Sequence, residues 1–168
     1  VYRQAFEMGR HIIGYEVQKI LAAVDQFELH GNEHSNPLPI GVAGASEGGL
    51  LALYSAAIDP RIDGALVSGY FDRREGVWQE PIYRNVWRLL QEFGDAEIAG
   101  MVAPRHLWIE ASPAISEIAG SPPERDGRRG AAPGVIRRPH RDSVLEELER
   151  ASPHWSALGA GSAMGTLG

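Results

Sequence analysis

The chain has 168 residues, 43% of them hydrophobic, and a formal net charge of −6. That length suits about one domain with a buried core, and the acidic balance gives no bulk attraction to nucleic acid or to an anionic membrane. Cysteine is absent, which excludes disulfides, thiolate metal sites and a cysteine nucleophile, and no apolar run approaches the ~18 residues of a membrane span.

Residues 1–27 follow helical spacing, with breaks at Gly9 and Gly14. Val17, Ile20, Leu21, Val24 and Phe27 fall on one stripe, which predicts one buried face. Residues 28–39 read as a polar loop. Its His30 and His34 are four apart, but with no helix and no third ligand they read as solvated histidines rather than metal ligands.

Pro39 to Ile58, PIGVAGASEGGLLALYSAAI, predicts a strand on Ile40, Val42 and Ala43, a turn from Gly44 to Gly48, and a helix from Leu50 to Ile58. This is Gly-x-Ser-x-Gly between a strand and a helix, the setting of a nucleophile elbow. A strand that reverses into a helix within a few residues strains the central residue and projects its side chain off the sheet. The residues two before and two after nearly touch, so Gly44 and Gly48 are both expected to need their lack of bulk. Ser46 Oγ would stand at the carboxyl end of the strand, over a helix N-terminus with unpaired N–H groups. The competing reading is a glycine-rich turn with Ser46 merely exposed. Glycines at 41, 44, 48 and 49 do not make a dinucleotide fingerprint, and no lysine follows for a phosphate loop.

Asp59-Pro60-Arg61 stops that helix. Ile62 to Phe71 reads as a second buried strand, with Asp72 just past its end on the same sheet edge as Ser46. Residues 73–94 hold Trp78, Tyr83, Trp87 and Phe93, with a helix expected over Ile82 to Phe93. That segment either packs on the sheet or forms a lid or acyl-pocket wall over the serine. Asp95 to Val102 predicts a short helix with Asp95 as its N-cap, ended by Pro104 and Arg105. His106 to Ala111 is a third strand, and strand–helix–strand alternation over 40–111 predicts a parallel sheet with right-handed crossovers.

Residues 112–141 are rich in Pro, Gly and Arg without periodicity. Arg125, Arg128, Arg129, Arg137, Arg138 and Arg141 there read as a solvated loop rather than a phosphate-binding strip. Ser143 to Arg150 is a short helix with Ser143 and Glu146 spaced as a capping box. The tail from Ser152 carries little structural signal. The chain thus divides into a core at 1–111, a loop at 112–141, and a short helix with an irregular tail at 142–168.

Three ordered pieces resemble the α/β-hydrolase family: GASEGG after the strand PIGVA, then AAIDPRIDGALVSGYF, then DAEIAGMVAPRHLWIEA. The doubled glycine and the Asp-Pro-Arg-Ile step are similar to bacterial acetyl-xylan esterases and dienelactone-hydrolase-like proteins. The resemblance implies an α/β fold, a Ser–acid–His triad, hydrolysis of carboxylic esters and no cofactor. Carried over by residue, Ser46 is the nucleophile and the Glu47 N–H an oxyanion donor. The acid is Glu110, at the end of its strand, or Asp72, after the preceding one. The histidine follows the acid in this family, and only His140 and His154 lie downstream; His154 is the candidate. The family's first strands and second oxyanion loop have no counterpart here. The resemblance therefore implies part of such a domain, with about three strands and without the final strand that carries the histidine. The expected substrate is a small-molecule or carbohydrate ester, with acetyl groups on carbohydrate as one form, and no nucleic acid or membrane partner. The alternative is a non-catalytic hydrolase-like domain of a larger protein, kept for binding or assembly.

Overall fold

The structure is a computed structural model, and it describes residues 2–33, 38–113, 116–119 and 134–167. A short helix α1 (Tyr2–Glu7) ends in a turn at Gly9, where φ is 68°. Helix α2 (Ile12–Glu33) then runs straight through Gly14, so only the first expected break is real. It also extends through half of the segment read as loop, to Glu33. Ile13, Val17 and Val24 are its buried residues, and the predicted stripe fails at its far end, where Phe27 is 65% exposed. His34 lies outside the described residues.

Four parallel strands form the main sheet: β1 (Ile40–Ala45), β2 (Ile62–Ser68), β3 (His106–Glu110) and a last strand, Met164–Leu167, in the order β1-β2-β3-last. Three strands were expected. The fourth comes from the tail that read as irregular, where Leu107 to Glu110 pair with Met164 to Leu167. A separate antiparallel pair, β4 (Ile118–Ala119) and β5 (Val135–Ile136), lies within the segment read as a loop, which makes Met164–Leu167 β6. The crossovers are α3 (Glu47–Ile58) and α5 (Asp95–Gly100), and α6 (Arg141–Ala157) precedes β6.

One face of the sheet is built from the row Ala65–Leu107 and the row Val67–Ile109. These join Leu50, Leu53, Val144, Leu148, Ala151 and Trp155 from α3 and α6 in one apolar cluster. Val144, Leu148, Ala151, Trp155 and Ala163 therefore share a core with strands β1 to β3. The opposite face carries His106 and Trp108, both exposed.

Two expected helices change form. Over Ile82 to Phe93 there are only a 3₁₀ turn (Ile82–Arg84) and one helical turn, α4 (Leu89–Glu92). Arg88 precedes α4 with a φ of 64°, a left-handed conformation no helix can contain. Helix α6 is longer than expected. It is capped by His140 rather than Ser143, whose hydroxyl instead donates to Asp72 Oδ1.

Arg105 fastens the lower end of the sheet. Its guanidinium donates to the carbonyls of Ala56 (2.8 Å), Ile62 (2.6 Å), Asp59 (3.1 Å) and Met101 (3.1 Å). These are the orphan carbonyls at the ends of α3 and α5 and at the entry to β2, where a cation also meets the negative ends of two helices. Arg105→Ala should lower stability by about 2–3 kcal/mol. Arg105→Lys should recover only part, because an ammonium lacks the planar fork. Urea midpoints for the two variants check this.

Candidate active site

Strand β1 ends at Ala45, and α3 begins at Glu47, so Ser46 alone makes the turn. Its φ of 53° and ψ of −115° are far from any region a serine adopts without strain. The bend persists because its surroundings determine it. The Ser46 N–H donates to the Ser68 carbonyl at 2.8 Å, tying the bend to the end of β2. The Gly69 N–H donates in turn to the Glu110 carbonyl at 2.8 Å, so the carboxyl ends of β1, β2 and β3 form one ledge.

The crowding differs from the expected pattern. A Cβ on Gly44 would stand 2.0 Å from the Gly48 carbonyl oxygen, so bulk is forbidden there. A Cβ on Gly48 would meet nothing within 4 Å, whereas one on Gly49 would lie 3.0 Å from the Ser68 carbonyl and 3.1 Å from Tyr70 Cβ. The second restrictive glycine is thus Gly49, which lets α3 sit close against the end of β2.

Ser46 is half-buried at the carboxyl end of the sheet, over the start of a twelve-residue helix. The first N–H groups of α3, Glu47 included, have no partner within the helix and point toward the bend. Unpaired N–H groups at a helix start are of the kind that can stabilise an oxyanion.

The remaining candidates separate. Asp72 follows β2 on this ledge. It accepts hydrogen bonds from the Ser143 hydroxyl and, at 2.8 Å, from the Arg73 N–H. Glu110 ends β3 on the same ledge and accepts from the Ser68 hydroxyl at 2.5 Å. His154 is elsewhere. Helix α6 starts beside Asp72 and descends until Trp155 Nε1 donates to the Arg105 carbonyl at 2.9 Å, below the amino end of β3. His154 sits at that lower end, its ring against Gly100 of α5. The structure does not bring it to Ser46. His140 stays at the upper end as the α6 cap and is exposed. Among the described residues, no imidazole is hydrogen-bonded to Ser46, and no cluster of three or more His, Asp or Glu could hold a metal ion.

A buried ionic network beneath the ledge was not anticipated. Glu47 accepts from Tyr83 Oη at 2.5 Å and from Arg84 Nε at 3.1 Å. Arg84 and Arg74 both bond Glu80, at 3.1 and 2.9 Å, and Arg74 Nε donates to Asp95 Oδ2 at 2.8 Å. Arg74 lies 4.2 Å above the Tyr70 ring. Asp95 is fully buried and begins α5 rather than capping it. Burial pushes its carboxyl up to about 6, against the pull of Arg74. The spacing of Glu80 and Arg84, four apart, was the one signal in the sequence.

A parallel sheet crossed by helices, with a strained serine between strand and helix, defines the α/β-hydrolase type of fold. The structural comparisons agree with that class. Over 98% of its length the chain superposes on a Bacteroides fragilis protein assigned as an acetyl xylan esterase, with a TM-score of 0.63 and 13% identity, and covers 38% of that protein. Over 85% it superposes on a glucuronoyl esterase from Teredinibacter turnerae, with a TM-score of 0.57 and 14% identity, covering 34% of it. A glucuronoyl esterase from Solibacter usitatus matches over 88%, with a TM-score of 0.52 and 13% identity, and 36% of it is covered. No protein-family model matches the sequence, and no curated protein is similar to it in sequence.

Proposed function

We propose that the chain carries the nucleophile half of a serine hydrolase acting on carboxylic esters, with a carbohydrate ester as substrate. The single observation that carries this reading is the backbone of Ser46, held at a φ of 53° and a ψ of −115° between β1 and α3. Strain of this kind is maintained by its surroundings and clusters at functional sites. Neighbours of the same fold that are named as carbohydrate esterases support the substrate class.

In this reading Ser46 Oγ attacks the acyl carbon, its proton passes by way of a general base that the described residues do not supply to the leaving oxygen, and the Glu47 N–H stabilises the developing oxyanion. The ester bond breaks to an acyl-serine and an alcohol, and water then hydrolyses the acyl-serine. The acid is Asp72 or Glu110, both on the ledge and both already held by hydroxyl donors. This reading assigns His154 no role, since its ring lies against Gly100 at the lower end of the sheet.

The second reading, a non-catalytic hydrolase-like domain, is favoured by the absence, among the described residues, of an imidazole bonded to Ser46. A fluorophosphonate probe on the full-length protein decides between them. The hydrolase reading expects covalent labelling that Ser46→Ala abolishes and His154→Ala leaves unchanged. Absence of labelling in the folded protein would establish the non-catalytic domain. Asp72→Asn and Glu110→Gln, compared in the same assay, identify the acid as the one whose loss slows labelling on the order of 10²-fold or more.

A further inference from the structure

Beside the ledge, the segment 77–85 and strand β5 enclose an open groove of about 720 Å³, a volume typical of small-molecule sites. Its wall is Trp78, whose side chain is unusually open for a tryptophan at 74% exposed. Ile82 and Val135 add apolar surface, and Gln79, Glu80, Asn85 and Arg137 are its polar lining residues. Arg137 also lines a cleft of about 200 Å³ that contains Asp72, and Gln79, Glu80 and Val135 line both.

The platform is anchored through its neighbour although it is exposed. Trp78 sits in a single 3₁₀ turn, Val77–Gln79, followed directly by Glu80, and the buried guanidinium groups of Arg74 and Arg84 clamp Glu80. Arg84 and Tyr83 reach on to Glu47, the residue after Ser46. A flat aromatic face held open beside amide and guanidinium donors suits a ring with apolar C–H faces and a polar edge. Pyranose sugars have that construction: their axial C–H bonds stack on an aromatic face while their equatorial hydroxyls reach planar polar side chains. An aromatic anchor also binds with little loss of rotamer freedom.

We infer that this groove is a pyranose-binding subsite, in which Trp78 stacks on a sugar ring of the polymer that carries the ester, and Gln79, Asn85 and Arg137 bond its hydroxyls. The inference rests on the reading of the chain as a carbohydrate ester hydrolase, but it is tested without catalysis.

The test is a titration of the full-length Ser46→Ala protein with xylohexaose, followed by the indole N–H signals in NMR. Trp78 is expected to shift, and Trp78→Ala to weaken binding by about tenfold or more. Arg137→Ala should weaken it several-fold. Trp87→Ala is the control, since Trp87 is equally exposed, at 72%, yet does not line the groove. It should leave the affinity unchanged. No saturable binding, or equal losses from Trp78→Ala and Trp87→Ala, would overturn the subsite. The labelling of Ser46 is a separate readout, so the sugar site and the ester chemistry can fail independently.

Discussion

Gly44→Ala is expected to lower stability by about 3–5 kcal/mol, while Gly48→Ala leaves it unchanged or raises it by up to about 1 kcal/mol. Both positions belong to the same Gly-x-Ser-x-Gly pattern, but the backbone around them differs. At Gly44 an added Cβ would penetrate the Gly48 carbonyl, at 2.0 Å from its oxygen. Only backbone movement relieves such a clash, and any movement separates β1 from α3. At Gly48 the same atom enters open space in the first turn of a helix, where alanine is the better helix former. Gly49→Ala should fall between, since its contacts are 3.0 and 3.1 Å and ask the end of β2 to give by a few tenths of an ångström. Urea denaturation of the three variants gives the order directly. For a domain of this size, the Gly44 variant should also melt roughly 10 °C lower. Equal behaviour of Gly44→Ala and Gly48→Ala would show that the bend is not closed in the way described.

The bend was legible because its causes are local. Three glycines, a serine, and an apolar strand and helix on either side constrain one another within about twenty residues. The fourth strand was not legible for the opposite reason. MGTL has neither alternation nor an apolar run, and it becomes a strand only because β3 offers it a line of unpaired backbone groups. The segment Ile82 to Phe93 has helical composition but is pulled out of a helix by distant partners, since Glu47 holds Tyr83 and Arg84. Ser143 shows the same competition: its sequence spacing fits a cap, but Asp72 takes its hydroxyl. At the site, Ser46, Asp72 and Glu110 could be placed on one edge from strand ends alone. His154 could not, because its position depends on how far α6 continues. The helix runs past Pro153 to Ala157, which carries His154 roughly 16 Å down the axis from Ser143.

Asp95→Ala is expected to cost about 3–5 kcal/mol, as large an effect as any single change in the molecule, because it leaves a charged Arg74 buried with part of its compensation gone. Arg74 is 7% exposed and Asp95 fully buried, so neither charge can turn to water. Burial is the largest influence on Asp95, raising its carboxyl to about 6 even beside Arg74, and its Oδ1 has no hydrogen-bond partner among the described residues. The sign of the pH effect follows. The folded-state value lies above the ordinary unfolded value of ~3.9, so the native state binds the proton more tightly. This group therefore contributes most below about pH 4, and its contribution fades as pH rises through 6. Relative to Asp95→Asn, which cannot titrate, the wild-type protein should gain about 2 kcal/mol of stability between pH 7 and pH 4. Most carboxylates that anchor ion pairs would give the opposite slope. A double-mutant cycle with Arg74→Met and Asp95→Leu completes the case: the pair replaced together should be far milder than the sum of the two single changes. If the losses simply add, or the pH difference runs the other way, Asp95 and Arg74 are not the coupled buried pair on which Glu80, Arg84 and finally Glu47 depend for their positions.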